Sequence, residues 1–360
     1  MNDWDIVGHE WAVELLSRDL AGGRLRHAYL FAGPPGIGKR TLALKFAQVI
    51  NCLSPSPLPP VPAGEAAGVR ACGECRPCTL IAKGSHPDVP IVHSGVPSST
   101  TSSRRPSTAT RNSPGEGRSI KIDQVRDLER QVSLAPYEAT YRVPILLRFH
   151  EATTGAQNAL LKTLEEPPPQ VVILLTADSP DLLLPTIVSR CDVLNLRPTS
   201  IAKAKEALAQ RRGVAGERAE LLAHLSGGRL GWAVRMSEDE ERLAQRNERL
   251  DKLLGLIAAP RRARMAYAEA LAKRPREEVY ELLDLWLTWW RDVLLASSHA
   301  GAPFANADRI EIIRGLADRI DPERARAAIE AIRKTGEAID RNANLRLALE
   351  VLALDLPALK

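Results

Sequence analysis

Apolar residues recur at helical spacing in "EWAVELLSRDL" (residues 10–20), and the glycine pair Gly22–Gly23 that follows marks a stop. "HAYLFAG" (27–33) is a short apolar run ending in glycine and predicts a buried strand; "TLALKFAQVI" (41–50) returns to the helical period. "IKIDQVRDLERQVSL" (120–134) predicts another helix. "RVPILLRF" (142–149) and "QVVILLTA" (170–177) are continuous apolar runs, the pattern of central strands in a parallel sheet covered on both faces. Between them, "AQNALLKTLEE" (156–166) predicts a helix stopped by Pro167, Pro168 and Pro169. Strand and helix alternate in this way to about residue 198, which predicts a doubly wound α/β domain over 1–198. From 199 onward the pattern is almost wholly helical, with breaks at "SGGRLG", "AAPRR" and "HAGAPFANAD". A small helical domain is expected over 199–245 and a larger one over 246–360. In "LDLWLTWWRDVLL" (283–295), Trp286, Trp289, Trp290 and Leu294 fall near one helical face, which suits either core packing or a subunit interface.

Two tracts interrupt the α/β pattern. "SPSPLPPVPAGEAAG" (54–68) is rich in Pro, Ala and Gly, and the segment 94–119 is rich in Ser, Thr and Pro; both read as flexible insertions in surface loops. In the 360-residue chain, 44% hydrophobic and 26% charged residues are ordinary for a globular protein with a sizeable core. No apolar run approaches a membrane span, and the acidic start "MNDWDIVGHE" lacks an apolar signal core, so a cytoplasmic location is expected. A net charge of +5 is compatible with a nucleic-acid partner without demanding one.

The junction of the first strand and its helix carries "GPPGIGKR", residues 33–40. Gly33, Gly36, Gly38 and Lys39 match the phosphate-binding loop, in which backbone N–H groups and a lysine cradle phosphate at a helix N-terminus. The next position takes Ser or Thr in that motif, as a magnesium ligand; here it is Arg40, followed by Thr41. The candidate nucleotide site is therefore degenerate.

Cys72, Cys75 and Cys78 form C-x2-C-x2-C in "CGECRPC", and Cys52 precedes the first flexible tract. Thiolates at this spacing on a loop-rich insertion (52–78) suit a tetrahedral structural zinc site, with His86 as an alternative to Cys52. Gly73 and Pro77 favour the turns of such a knuckle. A site with all its positions filled by protein is closed to catalysis. Cys191 stands apart and reads as a small buried apolar residue.

Taken together, "HAYLFAGPPGIGK", the cysteine knuckle, "SHPDV", "NALLKTLEEPP" and "LLLPTIVSRC" resemble the bacterial DNA polymerase III clamp-loader family of AAA+ ATPases. The resemblance covers residues 5 to about 198 well and the helical remainder more loosely. It implies an AAA+ domain with a parallel sheet and a zinc-knuckle insertion, then a helical lid and an all-α collar. Active members carry an Asp–Glu pair, the Asp for magnesium and the Glu for water, at the end of the strand before "NALLKTLEE". Counting back from Asn158, that tetrad falls on Leu147, Arg148, Phe149 and His150; Glu151 lies three residues late. Both magnesium ligands are thus missing, and ATP or ADP is expected to bind without hydrolysis, if it binds. The resemblance also makes Arg190 of "SRC" an arginine finger for a neighbouring subunit's ATP site, the alternative being an arginine paired within its own domain. It makes Thr176 a phosphate-sensor position, and it puts Gly231 where the lid's sensing arginine stands, with Arg229 offset. The function so implied is that of a stationary subunit in a hetero-pentamer with motor and wrench-type subunits, acting on the sliding clamp and primed DNA. The rival readings are an ATP-hydrolysing motor subunit and a zinc-dependent DNA-binding module. The second of these is weakened by the knuckle's few basic residues, Arg76 and Lys83.

Overall fold

The computed structural model describes residues 4–58, 68–94, 119–341 and 343–359. Most of the two tracts expected as flexible insertions lies outside the described residues. The chain divides into two compact units, 1–203 with 229–231 and 204–228 with 232–360.

In the first unit, α1 (Glu10–Ala21) leads into β1 (Ala28–Ala32), and α2 (Lys39–Ile50) follows the glycine loop. A short antiparallel ribbon, β2 (Ser56–Pro57) with β3 (Val69–Arg70), flanks the first tract. Then come α3 (Arg76–Ala82), β4 (Ile91–Val92), α4 (Ile122–Val132), β5 (Ile145–Leu146), α5 (Thr154–Glu165), β6 (Ile173–Ala177), α6 (Pro185–Val188) and β7 (Asp192–Asn195). The main sheet has the order β4-β5-β6-β1-β7 and is parallel throughout. Side chains alternate across a strand. Tyr29 and Phe31 of β1 therefore enter the core on one face with Leu42, Phe46 and Trp4, while Ala28 and Leu30 enter the other with Ile173, Leu175 and Leu160. Phe46 meets Tyr29 edge to face, with centroids 5.1 Å apart. That contact fixes α2, and so the glycine loop at its start, against β1.

The run "RVPILLRF" forms a strand over Ile145–Leu146 alone. Arg148 then adopts a left-handed conformation (φ 52°) and the chain turns through Phe149–Glu151. The Thr153 hydroxyl caps α5 by accepting the Ala156 N–H at 3.2 Å. β4 and β7, which the sequence pattern did not predict, are the edge strands.

The second unit is helical: α7 (Ile201–Arg212, beginning in the first unit), α8 (Gly216–Ser226), α9 (Leu230–Glu238), α10 (Glu240–Ala258), α11 (Arg261–Leu271), α12 (Arg276–Ser297), α13 (Ile310–Ala317), α14 (Pro322–Asp340) and α15 (Leu345–Asp355). Asp239, Asp321 and Asn344 cap α10, α14 and α15 through their side-chain oxygens. Trp286, Trp289 and Trp290 are buried in the core of this unit, and Leu294 packs against that core. The tryptophan face therefore fills the interior, as the first of its two readings had it. Among the described residues, no helix is long and apolar enough to cross a membrane.

Candidate nucleotide site and metal knuckle

The glycine loop has the backbone its sequence demands. Gly33, Gly36 and Gly38 all have positive φ (149°, 79° and 112°), and Gly38 precedes the first turn of α2. A Cβ at Gly33 would lie 2.5 Å from the Leu196 carbonyl oxygen. Arg40 and Thr41 are exposed on the first turn of α2.

Lys39 points inward. Its ammonium donates to the carbonyls of Gly33 and Pro34 and to Asp178 Oδ1, the last at 2.6 Å. An ammonium has three N–H donors, and here each has a partner. Burial lowers the Lys39 pKa, and the Asp178 carboxylate opposes part of that shift. Asp178 follows β6 directly and also faces His150, whose Nε2 is 3.4 Å from Asp178 Oδ2. Burial holds His150 below its ordinary pKa against the pull of Asp178. Asp178 was missed in the sequence, since the lysine and its partner lie 139 positions apart.

The expected acidic pair is absent in space as well. Arg148 sits at the end of β5, where its backbone N–H donates to Thr176 Oγ1 at 2.8 Å. Thr176 is buried, so the hydroxyl expected to sense phosphate is engaged with the backbone of the neighbouring strand. Glu151 is held by Arg148 Nε (2.6 Å) and by Ser94 Oγ (2.7 Å). β5 pairs with β6 in the register Ile145↔Leu174, and Glu151 lies beyond it in the turn after the strand. Residues 229–231 belong to this unit, and a Cβ at Gly231 would lie 2.8 Å from the Gly36 carbonyl. The position that the resemblance assigns to a sensing arginine is one where a side chain would strike the loop.

Arg190 belongs to a different cluster. Its Nη2 lies 2.8 Å from Glu165 Oε1, and its Nη1 donates to the Thr186 carbonyl at 2.8 Å. Both side chains of the ion pair are partly exposed. Cys191, next to it, is partly buried, and burial pushes its thiol up to about 12.

The knuckle cysteines come together. One Sγ from each of Cys52, Cys72, Cys75 and Cys78 lies within 4.8 Å of the others. Tetrahedral zinc–thiolate bonds of about 2.3 Å imply sulfur–sulfur edges of about 3.8 Å. The Cys52–Cys72 separation is 3.5 Å, and all four thiols are free. The backbone N–H groups of Cys75 and Glu74 pull the Cys72 thiol down to about 6, whereas burial pushes Cys52 and Cys78 up. This donor set fits a soft metal ion, and zinc there would supply a structural cross-link. His86 lies outside the cluster. Its Nδ1 accepts the Asp88 N–H at 3.1 Å, and its Nε2 stands 3.8 Å from Glu138 Oε1. Of the two candidates for the fourth ligand, the fold brings in Cys52.

Residues 8–200 match the family profile described as DNA polymerase III, delta subunit, and residues 240–357 match the profile of that subunit's C-terminal part. The chain belongs to the bacterial DNA polymerase III clamp-loader family. It is similar to DNA polymerase III subunit delta' of Pseudomonas aeruginosa, with 32% identity over 96% of this chain and 95% of that protein. It is also similar to subunit delta' of Bacillus subtilis, with 28% identity over 78% of this chain and 70% of that protein. Subunit tau of Bacillus subtilis is 35% identical over 52% of this chain and 27% of its own length. Family membership accounts for the frame around Lys39, and the residues within that frame set what the site can do.

Proposed function

We propose that this chain is a stationary, non-motor subunit of a DNA polymerase III clamp loader, helping to place the sliding clamp on primed DNA. The observation that carries this reading is the state of the nucleotide site. A phosphate-loop backbone is present, but Arg40 replaces the magnesium hydroxyl, and Leu147–Arg148 replace the Asp–Glu pair. Phosphoryl transfer needs a metal to neutralise developing charge and a residue to orient water. The site supplies neither, so nucleotide held there would stay intact. The motor reading would need both acidic residues, and Glu151 is occupied elsewhere.

In the assembled loader, with motor and wrench-type subunits, Arg190 would reach a neighbour's ATP as a finger in trans. Its resting partner, Glu165, is compatible with that role, because a partly exposed ion pair is worth only about 0–1 kcal/mol and is readily given up. The knuckle cysteines would hold one structural zinc.

The test is reconstitution with the motor subunits, using Arg190→Ala and Arg190→Lys. The alanine variant is expected to assemble normally and to lower the complex's ATPase by about 100-fold or more. Lysine should rescue poorly, since an ammonium lacks the planar fork. Normal ATPase and clamp loading by the alanine variant would reject the finger role.

A further inference from the structure

The residues beside the metal ligands grip a single loop. Asn51 directly precedes Cys52; its buried side-chain oxygen accepts the Tyr141 N–H at 2.9 Å. Arg76 directly follows Cys75, and its Nε donates to Glu138 Oε2 at 3.2 Å. The two tethers thus start one residue from two different cysteines and end within the stretch 138–141. The far side of the same stretch is held by the fully buried Asp88. Its carboxylate accepts the N–H groups of Tyr137 (2.8 Å), Glu138 (2.9 Å) and Ala139 (3.1 Å) and pairs with Arg142 Nη2 at 2.8 Å. Burial alone would raise the Asp88 pKa, but those donors outweigh it and hold the carboxyl below its usual range.

Other contacts hold the ends of the loop: the Ala135 carbonyl accepts from Arg142 Nη2 at 3.0 Å, the Leu134 N–H donates to the Gln131 carbonyl at 3.2 Å, and Tyr141 packs against the core. Tyr137 is 82% exposed and Leu134 65% exposed, so neither contributes a buried anchor. A segment fixed by backbone hydrogen bonds to a few side chains sits at the low end of local stability. Of the held amides, that of Tyr141 depends on whether Asn51 is itself held in place; those of Tyr137, Glu138 and Ala139 are held by Asp88, and the exposed Arg76–Glu138 pair is only a weak second tether. Asn51 is the last residue before the chain leaves α2 for Cys52, and Arg76 opens α3, a helix of two turns. Gln48 Nε2 donates to the Cys78 carbonyl at 2.7 Å and ties the two helices at one further point. Cross-linking the sulfurs would fix Cys52 relative to Cys75, and with them the spacing of the two tethers.

We infer that the cysteine knuckle is the clasp of the Tyr141 end of the 134–141 loop: metal on the four thiols orders this end, and metal loss releases it while the sheet stays folded. This rests on the reading of the cysteines as a zinc site. The device would make the Tyr141 end of this loop sensitive to zinc supply.

Hydrogen exchange on the full chain tests it, because the Tyr141 amide is held by Asn51 beside Cys52, whereas the Tyr137, Glu138 and Ala139 amides are held by Asp88. The chain is compared zinc-loaded, chelated and zinc-restored, with zinc measured on each sample. Chelation is expected to speed exchange at Tyr141 by about ten-fold or more, with β6 unchanged and with reversal on adding zinc. Asn51→Ala is expected to keep its zinc yet show fast exchange at Tyr141. A sample that holds no zinc when loaded refutes the zinc reading itself. A sample that gains and loses zinc with no change at Tyr141 refutes the clasp, as does one in which β6 loosens equally. Unchanged exchange at Tyr141 in zinc-loaded Asn51→Ala would likewise overturn it.

Discussion

Replacing Asp178 by Asn leaves the Lys39 ammonium buried with two carbonyls and no carboxylate. Breaking one half of a buried ion pair typically costs about 3–5 kcal/mol. Chemistry sets a ceiling on this loss, because Lys39 can shed its proton instead. From an unfolded lysine pKa of about 10.4, doing so at pH 7 takes about 1.36 kcal/mol for each of roughly 3.4 units, or about 5 kcal/mol. At pH 9 the same escape takes only about 2 kcal/mol. Lys39 has a lowered pKa in the folded state. The unfolded chain therefore binds more protons there, and stability rises with pH between the folded and unfolded values. Removing Asp178 lowers the folded value further and opens that window from below. The destabilisation is thus expected near 3–5 kcal/mol at pH 7, shrinking to about 2 kcal/mol or less at pH 9. His150 does not blur this window, since burial already keeps it neutral there. The assay is urea-dependent hydrogen exchange of the β1 and β6 amides, which isolates the sheet-bearing unit from the helical one. Lys39→Met/Asp178→Asn, with no ammonium left to titrate, should lose the pH dependence. An Asp178→Asn penalty of equal size at pH 7 and pH 9 would refute the electrostatic account.

Two further outcomes follow from particular contacts. Arg264 is buried and donates to the carbonyls of Ala259, Ala353, Leu356, Ile257 and Pro357 at 2.7–3.2 Å, so it joins the C-terminal ends of α10 and α15. Arg264→Leu is expected to cost the helical unit about 3–5 kcal/mol, with Arg264→Lys nearly as costly, read by urea denaturation of the buried tryptophans; a loss under about 1 kcal/mol would contradict the bonding pattern. Metal analysis should show that Cys75→Ser and Cys52→Ser lose their zinc and that His86→Ala keeps it; full zinc in Cys52→Ser with loss in His86→Ala would show that the fourth ligand has been misassigned.

The parts of the fold legible in the sequence were those whose signal is local. α1, β1, α2, α5 and β6 each carry a strong apolar period and a glycine, proline or threonine boundary, and they lie where the pattern put them. β7 was missed because "DVLN" is an edge strand with a single buried residue, so it lacks the continuous apolar run of a central strand. β4 is two residues long and follows Pro90, too short for any period to register. The cysteine cluster was legible because a metal-binding knuckle leaves its spacing in the chain itself; the sequence put Cys52 in the set with His86 as the alternative, and the fold brings Cys52 to the other three. The Lys39–Asp178 pair had no local signal at all. It exists because β1 and β6 are neighbours in the sheet, which brings the loop after β1 beside the residue after β6.

That sheet neighbourhood also explains why the geometry of the glycine loop is fixed largely by the fold itself. Gly33 closely approaches β7: the Leu196 N–H donates to the Ala32 carbonyl at 2.7 Å, and a Cβ on Gly33 would collide with the Leu196 carbonyl. Gly36 and Gly38 hold backbone angles that other residues adopt only under strain. Lys39 satisfies the Gly33 and Pro34 carbonyls and the Asp178 carboxylate from within the protein. Each of these requirements comes from joining β1 to α2 in a crowded sheet, and each stands whether or not phosphate is present. Arg40 is different, because its side chain is exposed and the fold asks nothing of it. No contact of this glycine-loop frame passes through Arg40. The loop therefore reads as a structural joint that keeps the outline of a nucleotide site.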